Sequence, residues 1–173
     1  MTSYLLDTDV FIRAKNQHYG FDLCPGFWNW IDREHAAGRV FSIQRVYSEL
    51  LLGQDDLSSW AKQRKGMFLK PDQSTPSSLR QLSTWASGAG YRQSAVTAFM
   101  QKADFYLVAQ AHAMGHTVVT YERPAPHAVK SIKIPDACDA LHVPWMAPHD
   151  MLRSEGAVFD LHAQPQLWSE AGP

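Results

Sequence analysis

The sequence predicts an α/β protein built around a mainly parallel sheet, and three apolar segments support this. Tyr4–Leu6 is apolar without alternation, which is typical of a parallel strand covered on both faces. Val40–Ile43 lies between two predicted helices, and the β-branched run at 116–121 follows a longer helical segment. Strands separated by helices favour parallel pairing through right-handed crossovers.

The first half of the chain alternates predicted strands and helices. After the first strand, a short helix or turn begins near Val10. A proline in the first turn and a glycine at the end predict a helix over residues 24–38, and residues 44–52 form a second helix ended by Gly53. One face of the helix at 24–38 should pack against the sheet through its apolar side chains, which are Phe27, Trp30 and Ile31.

The second half predicts mostly helices. Residues 55–91 read as a polar helical insertion, and residues 93–115 as one or two helices with an apolar stripe. A weaker strand is predicted at 132–134, and a last helix within 144–156. We therefore predict a single domain over residues 1–160, with this insertion, followed by a loose extension at 161–173.

Composition limits the classes of function. The chain has 173 residues and a net charge of −1, so the fold as a whole does not attract polyanions. Nucleic-acid binding would need a local basic patch or metal ions. Cys24 and Cys138 are far apart and read as free thiols of a reducing compartment. No signal-peptide layout or membrane-length apolar run occurs, so we expect a cytoplasmic protein without a membrane partner.

Asp7 is the residue that most constrains function. It directly follows the first predicted strand, and open α/β sheets bind ligands in the crevice outside their strand ends. A carboxylate near a core needs a cation, a helix N-terminus or a metal to keep its charge. The alternative is that Asp7, Thr8 or Asp9 caps the helix that begins near Val10.

Three further acids stand where the same crevice could receive them. Glu49 and Asp104 lie near the apolar faces of predicted helices, and Glu122 directly follows a strand, as Asp7 does. Taken singly, they read as a solvated glutamate, a helix N-terminal acid and a turn residue. Taken together, they would repel one another unless a divalent cation neutralised them. Oxygen ligands favour Mg²⁺ or Mn²⁺ over zinc.

Four segments that carry these acids together resemble the PIN-domain ribonucleases, which include the toxins of bacterial toxin–antitoxin pairs. The segments are LLDTDVFI at 5–12, VYSEL at 46–50, ADFYLVA at 103–109 and VVTYE at 118–122. The chain looks most like an uncharacterised PIN-like subgroup that also carries GFW, here at 26–28, and IPDxC, here at 134–138. The resemblance covers about residues 3–150, in order.

The resemblance implies a three-layer α/β/α sandwich with about four to five strands, and a metal-dependent endoribonuclease that leaves 5′-phosphate products. Asp7, Glu49 and Asp104 match the three core metal-binding acids of the family, and Glu122 stands where many members have an aspartate. The usual acidic tail after that strand is absent, so Asp136 and Asp139 compete with Glu122 for the fourth position. RNA, a cognate antitoxin and a second copy of the chain are the implied partners.

Other residues are candidates for supporting roles. Thr8, Asp9 and Thr120 are placed to hydrogen-bond the metal ligands or the phosphate, although Asp9 is also a candidate cap. The basic candidates for guiding a nucleic-acid strand, which also read as a solvated helix face, are Arg13, Lys15, Lys62, Arg64 and Lys65. The tryptophans that either stack bases or fill the core are Trp28, Trp30 and Trp60.

Two other classes of function compete with the nuclease. Asp7 and Asp9, two residues apart after a strand, are also similar to the haloacid-dehalogenase phosphatases, in which Asp7 would be the nucleophile and Asp9 the acid/base. Phe11 is atypical of that motif. The other alternative is a non-catalytic PIN-like module that binds nucleic acid or protein, since a fold does not guarantee activity.

Overall fold

The computed structural model describes residues 2–160, so the predicted extension at 161–173 lies outside the described residues. The five strands of its single sheet are all parallel, in the order β3-β2-β1-β4-β5, which confirms the predicted α/β class. The strands are β1 (Tyr4–Leu6), β2 (Val40–Ile43), β3 (Phe68–Leu69), β4 (Thr117–Val119) and β5 (Trp145–Met146).

Helices connect and cover the strands. Within residues 2–160 they are α1 (Thr8–Arg13), α2 (Pro25–Ala36), α3 (Gln44–Leu52), α4 (Asp56–Lys62), α5 (Thr75–Gly88), α6 (Gln93–Gln101), α7 (Ala103–Met114), α8 (Ile134–Ala140) and α9 (Pro148–Ser154). A π-helix at Ala14–His18 continues α1, and a 3₁₀ helix at Lys65–Met67 precedes β3. All three residues of β1 are buried although their side chains alternate between the two faces, so the sheet is covered on both sides. The architecture is a three-layer α/β/α sandwich.

Several predicted elements are confirmed. Strands β1 and β2 and helix α3 have the predicted bounds, and α2 begins at Pro25 as its first-turn proline indicated. The face of α2 predicted to pack against the sheet is buried, and residues 93–115 form two helices, α6 and α7. The last predicted helix is α9.

Two predictions about the second half are wrong. Residues 132–134 do not form a strand, because Ile134 begins α8 and Pro135 occupies its first turn, where a missing N–H costs nothing. The segment 55–91 is not purely helical, because it contributes the edge strand β3 and buries Trp60 and Met67 in the core. Strand β5 was also not predicted.

The strand order fixes where a site can form. From central β1, the chain first builds β2 and β3 on one side and later adds β4 and β5 on the other, so the crossovers diverge between β1 and β4. Leu6 pairs with Val119, and the Asp7 amide donates to the Val119 carbonyl at 3.0 Å. The two strands therefore end at the same level, and a crevice opens outside these ends.

Two further sequence predictions concern cysteines and membranes. Cys24 and Cys138 are both free thiols, as predicted. Among the helices of residues 2–160, none combines the length and the apolar character that crossing a membrane would need.

Candidate acidic active site

A cavity of about 310 Å³ lies outside the carboxyl ends of β1 and β4. It brings together the four acids predicted from the sequence and a fifth, Asp9. The residues that line it are Asp7, Thr8, Asp9, Ile12, Glu49, Lys102, Asp104, Glu122 and Ile134. Its lining therefore carries five carboxylates and a single basic side chain.

Asp7 is the most deeply buried of these acids, with 4% of its surface exposed. The Thr120 hydroxyl donates to Asp7 Oδ2 at 3.0 Å, and the Glu122 amide donates to the same hydroxyl oxygen at 3.1 Å. Within the described residues, the Asp7 side chain makes no capping hydrogen bond to α1, although Asp7 occupies the N-cap position. The capping alternative therefore does not describe what this carboxylate does.

The surroundings of Asp7 and Asp104 oppose their ionisation. Burial and then the charge of Asp104 raise the pKa of Asp7 to about 7, against a lowering by the Thr120 hydrogen bond. Burial and then the charge of Glu122 raise the pKa of Asp104 to about 6, while Lys102 lowers it. The crevice therefore holds two carboxyl groups that are difficult to charge together.

Glu49 has both carboxylate oxygens hydrogen-bonded to protein donors. The Thr8 hydroxyl donates to Oε2 at 2.5 Å, and the Ala103 amide donates to Oε1 at 3.3 Å. Ala103 is the first residue of α7, so this carboxylate meets a helix N-terminus, whose partial positive charge stabilises it. Glu49 is thus not a freely solvated helix residue.

Glu122 is bound in a similar way. Lys133 Nζ donates to its Oε1 at 3.0 Å, and the Ile134 amide at the start of α8 donates to its Oε2 at 2.7 Å. This carboxylate therefore joins the two ends of the connection between β4 and α8. Glu122 lines the cavity and at the same time fixes the loop beside it.

The two alternative acids lie elsewhere. The Ala125 amide donates to the Asp136 carboxylate at 3.1 and 3.0 Å, and Trp145 Nε1 donates to Asp139 at 2.8 Å. Neither side chain is part of the cavity lining. In this conformation Glu122, not Asp136 or Asp139, is the fourth acid at the crevice.

The predicted supporting polar residues are at the site. Thr8 and Thr120 hydrogen-bond the carboxylates of Glu49 and Asp7, as the sequence suggested. Asp9 lines the cavity and forms an ion pair with Arg13 at 2.7 Å. These contacts fix the orientation of the acids that they touch.

The other basic residues predicted to contact nucleic acid either pair with acids outside the cavity or are exposed. Lys15 pairs with Asp55 at 2.7 Å, and Arg64 makes two bonds to Asp32 at 2.5 and 2.7 Å. Lys62 and Lys65 are exposed. The tryptophans Trp28, Trp30 and Trp60 are buried in the core, so the core interpretation is confirmed for them.

Three residues that line the cavity were not predicted from the sequence. Lys102 lies at the N-cap of α7, two residues before Asp104, and supplies the basic side chain of the cavity. Its position directly before the ADFYLVA segment was an available signal. Ile12 and Ile134 form apolar parts of the wall, and nothing in their local sequence distinguishes them from core residues.

The chemistry of the donor set fits a divalent cation. Carboxylate oxygens without Cys or His in the lining are the donors that Mg²⁺ and Mn²⁺ prefer. Across residues 2–160, no group of three His, Cys, Asp or Glu side chains is arranged to hold a metal in the present conformation. Binding a cation would therefore require the carboxylates of the cavity to move from their present arrangement.

The comparisons with known proteins identify a family but no characterised relative. No curated protein and no solved structure is significantly similar to the chain. One family model, described as "Domain of unknown function (DUF4411)", matches residues 4–159. The match spans the whole sheet and every residue of the acidic cavity, and the chain therefore belongs to the DUF4411 family.

Proposed function

We propose that this protein is a PIN-like, Mg²⁺- or Mn²⁺-dependent endoribonuclease that hydrolyses RNA phosphodiester bonds. The observation that carries the proposal is the acidic cavity outside the carboxyl ends of β1 and β4, between which the crossovers of the sheet diverge. Five carboxylates from four segments of the chain meet there, and Asp7 and Asp104 resist ionisation in the absence of a cation. Carboxyl groups in a cleft whose pKa values are raised by burial and by a neighbouring charge are typical of functional sites.

The proposal gives each cavity residue a role. Asp7, Glu49 and Asp104 would hold the cation, with Glu122 as a fourth ligand. A bound cation supplies a hydroxide-like water at neutral pH and stabilises charge on the leaving oxygen. Thr120 and Thr8 orient the carboxylates of Asp7 and Glu49, as such partners do for metal ligands generally.

Lys102 has a separate role in the proposal. Its side chain lines the cavity and lowers the pKa of Asp104, so it keeps positive charge close to the acids. The chain as a whole carries a charge of −1 and does not draw a polyanion to itself. Local positive charge, from Lys102 and the cation, would therefore receive the phosphate.

The competing classes have less support. A phosphatase of the haloacid-dehalogenase type needs Asp9 free to move a proton, whereas Asp9 is paired with Arg13 at 2.7 Å. A non-catalytic module that binds nucleic acid or protein would not explain why two hard-to-charge carboxyl groups line an open cavity.

The test is cleavage of mixed-sequence single-stranded RNA in Mn²⁺, Mg²⁺ or EDTA. We expect cutting in either metal and none in EDTA, and a loss of roughly a hundredfold or more in Asp7→Asn and Asp104→Asn. Asp139→Asn is the matched control, because it makes the same change at an exposed acid outside the cavity. Cutting that persists in EDTA, or in both cavity variants, would contradict the assignment.

The biological setting is part of the same proposal. We infer a cytoplasmic toxin of a toxin–antitoxin pair, whose antitoxin covers the acidic cavity, and a chain that pairs with a second copy of itself. Light scattering of the purified protein tests the second copy. Inhibition of the RNA cleavage by the product of a neighbouring gene tests the antitoxin.

A further inference from the structure

Three rings from distant parts of the sequence meet on the surface beside the acidic cavity. His18 ends the π-helix, Tyr121 follows β4, and His149 lies in the first turn of α9. The ring centroids are 5.5 Å apart for His18 and Tyr121, 5.8 Å for His18 and His149, and 6.1 Å for Tyr121 and His149. We call these three residues the ring cluster.

The ring cluster has one half-buried ring and two exposed rings. Tyr121 is half-buried and packs against the core, whereas His18 and His149 are both exposed. The exposed rings bury little surface, so core packing does not account for their meeting. A π-helix is an uncommon element that is frequent at functional sites, and it is the element that ends with His18.

The ring cluster is joined to the cavity by two short connections. Tyr121 directly precedes Glu122, which lines the cavity. Arg13 lies with its Cζ 5.1 Å from the centre of the Tyr121 ring, and it also pairs with Asp9, another lining residue. A positive, half-exposed guanidinium thus stands between the rings and the acids.

We propose that the ring cluster and Arg13 form a stacking platform for a base of single-stranded nucleic acid, next to the phosphate that enters the acidic cavity. The inference rests on the proposed nuclease function and adds how the strand is held. Bases stack on aromatic side chains whatever their identity, and an arginine beside them engages the backbone phosphate. The exposed rings of His18 and His149 would receive the base, and Tyr121 supports them from below.

The platform is tested by binding, separately from cleavage. Oligoadenylate of about ten nucleotides, as fluorescently labelled RNA and DNA, is titrated with the full chain in Ca²⁺, and the anisotropy is measured. The variant that removes both rings is His18→Asn with His149→Asn. The matched control is His142→Asn, an exposed histidine with a positive φ of 55° that asparagine tolerates well.

We expect the double asparagine variant to bind roughly tenfold more weakly than wild type, on both RNA and DNA, because stacking does not read the 2′-hydroxyl. His142→Asn should bind as wild type does. The double variant His18→Phe with His149→Phe should restore affinity to within about threefold of wild type, because phenylalanine stacks without hydrogen-bonding. Thermal unfolding of each variant shows whether it is folded.

Three results would overturn the platform. They are unchanged binding by the double asparagine variant, an equal loss in His142→Asn, and failure of the phenylalanine rings to restore binding. The proposed function fails independently, through the absence of metal-dependent cleavage by wild type. If wild type cleaves RNA and the ring variants bind as tightly as wild type, only the platform is refuted. If binding depends on the rings but wild type does not cleave RNA, only the nuclease function is refuted.

Discussion

Replacing Asp7 with asparagine is expected to stabilise the metal-free protein at neutral and mildly alkaline pH. The pKa of Asp7 is raised from 3.8 to about 7, chiefly by burial and then by the charge of Asp104. Each pKa unit corresponds to about 1.36 kcal/mol, so ionising this carboxyl costs the folded state about 4 kcal/mol at most. Asparagine keeps the shape of the side chain and removes that cost.

The sign follows from proton binding. Between the unfolded and folded pKa values, the folded state holds the Asp7 proton and the unfolded state has released it, so the free energy of unfolding falls as pH rises. Wild type loses this stability over roughly pH 4 to 7, and the variant does not. At about pH 4 or below, the variant should therefore have no advantage.

The net gain is smaller than the full electrostatic cost. The Thr120 hydroxyl can still donate to the oxygen of the asparagine, but its amide NH₂ is a new buried donor, and leaving it unpaired costs about 1–3 kcal/mol. We expect a gain of about 1–3 kcal/mol at about pH 8, which corresponds to a rise in Tm of roughly 2–9 °C for a chain of this length.

The assay is urea unfolding in EDTA across this pH range, with Asp55→Asn as a control of opposite sign. Asp55 caps α4 and bonds Lys15, and these contacts hold its pKa below the ordinary value. Asparagine still caps the helix but loses the charge that pairs with Lys15, so the replacement should cost about 0.2–1 kcal/mol at neutral pH. An Asp7→Asn variant that is less stable than wild type at about pH 8, by an amount that does not change with pH, would refute the reasoning.

Three more substitutions follow from the structure. Thr120→Val removes the hydroxyl that donates to Asp7, and calorimetric titration with Mn²⁺ should show an affinity roughly ten- to a hundredfold lower. Leu107→Ala deletes a fully buried side chain of α7, and urea unfolding should show a loss of about 2–5 kcal/mol. Glu34→Gln weakens the charged hydrogen bonds that the buried Glu34 accepts from Arg39, and a loss of about 1–3 kcal/mol is expected in the same assay.

The sequence predicted the elements whose apolar pattern is long enough to read. Strand β1, strand β2 and helix α3 have their predicted bounds, because each is a buried run or an amphipathic repeat closed by a clear signal. Strands β3 and β5 have two residues each, too few to show any periodicity. They form because they pair with the edges of β2 and β4, and pairing with a distant strand cannot be predicted from the local sequence.

Side-chain partners were harder to predict than backbone positions. The acids that follow β1 and β4 meet because the strands are parallel and end together, which the order of elements already implied. The donor to Glu122 Oε2 is the amide of Ile134, twelve residues away across an irregular connection. The apolar character of 132–134 suggested a strand, whereas the proline that follows lies in the first turn of a helix. The amide that binds Glu122 is free to donate because Ile134 begins this helix.

The acids of the cavity differ in how the fold compensates their charge. The two glutamates accept hydrogen bonds from helix N-termini, since a backbone amide of α7 donates to Glu49 and one of α8 donates to Glu122. Asp7 has the Thr120 hydroxyl, and Asp104 depends largely on the charge of Lys102 to offset its neighbours. A cation between these two aspartates would therefore relieve more repulsion than one placed at the glutamates. Protons compete for the same two carboxyl groups, so occupancy by a cation and ionisation of Asp7 and Asp104 should rise together with pH.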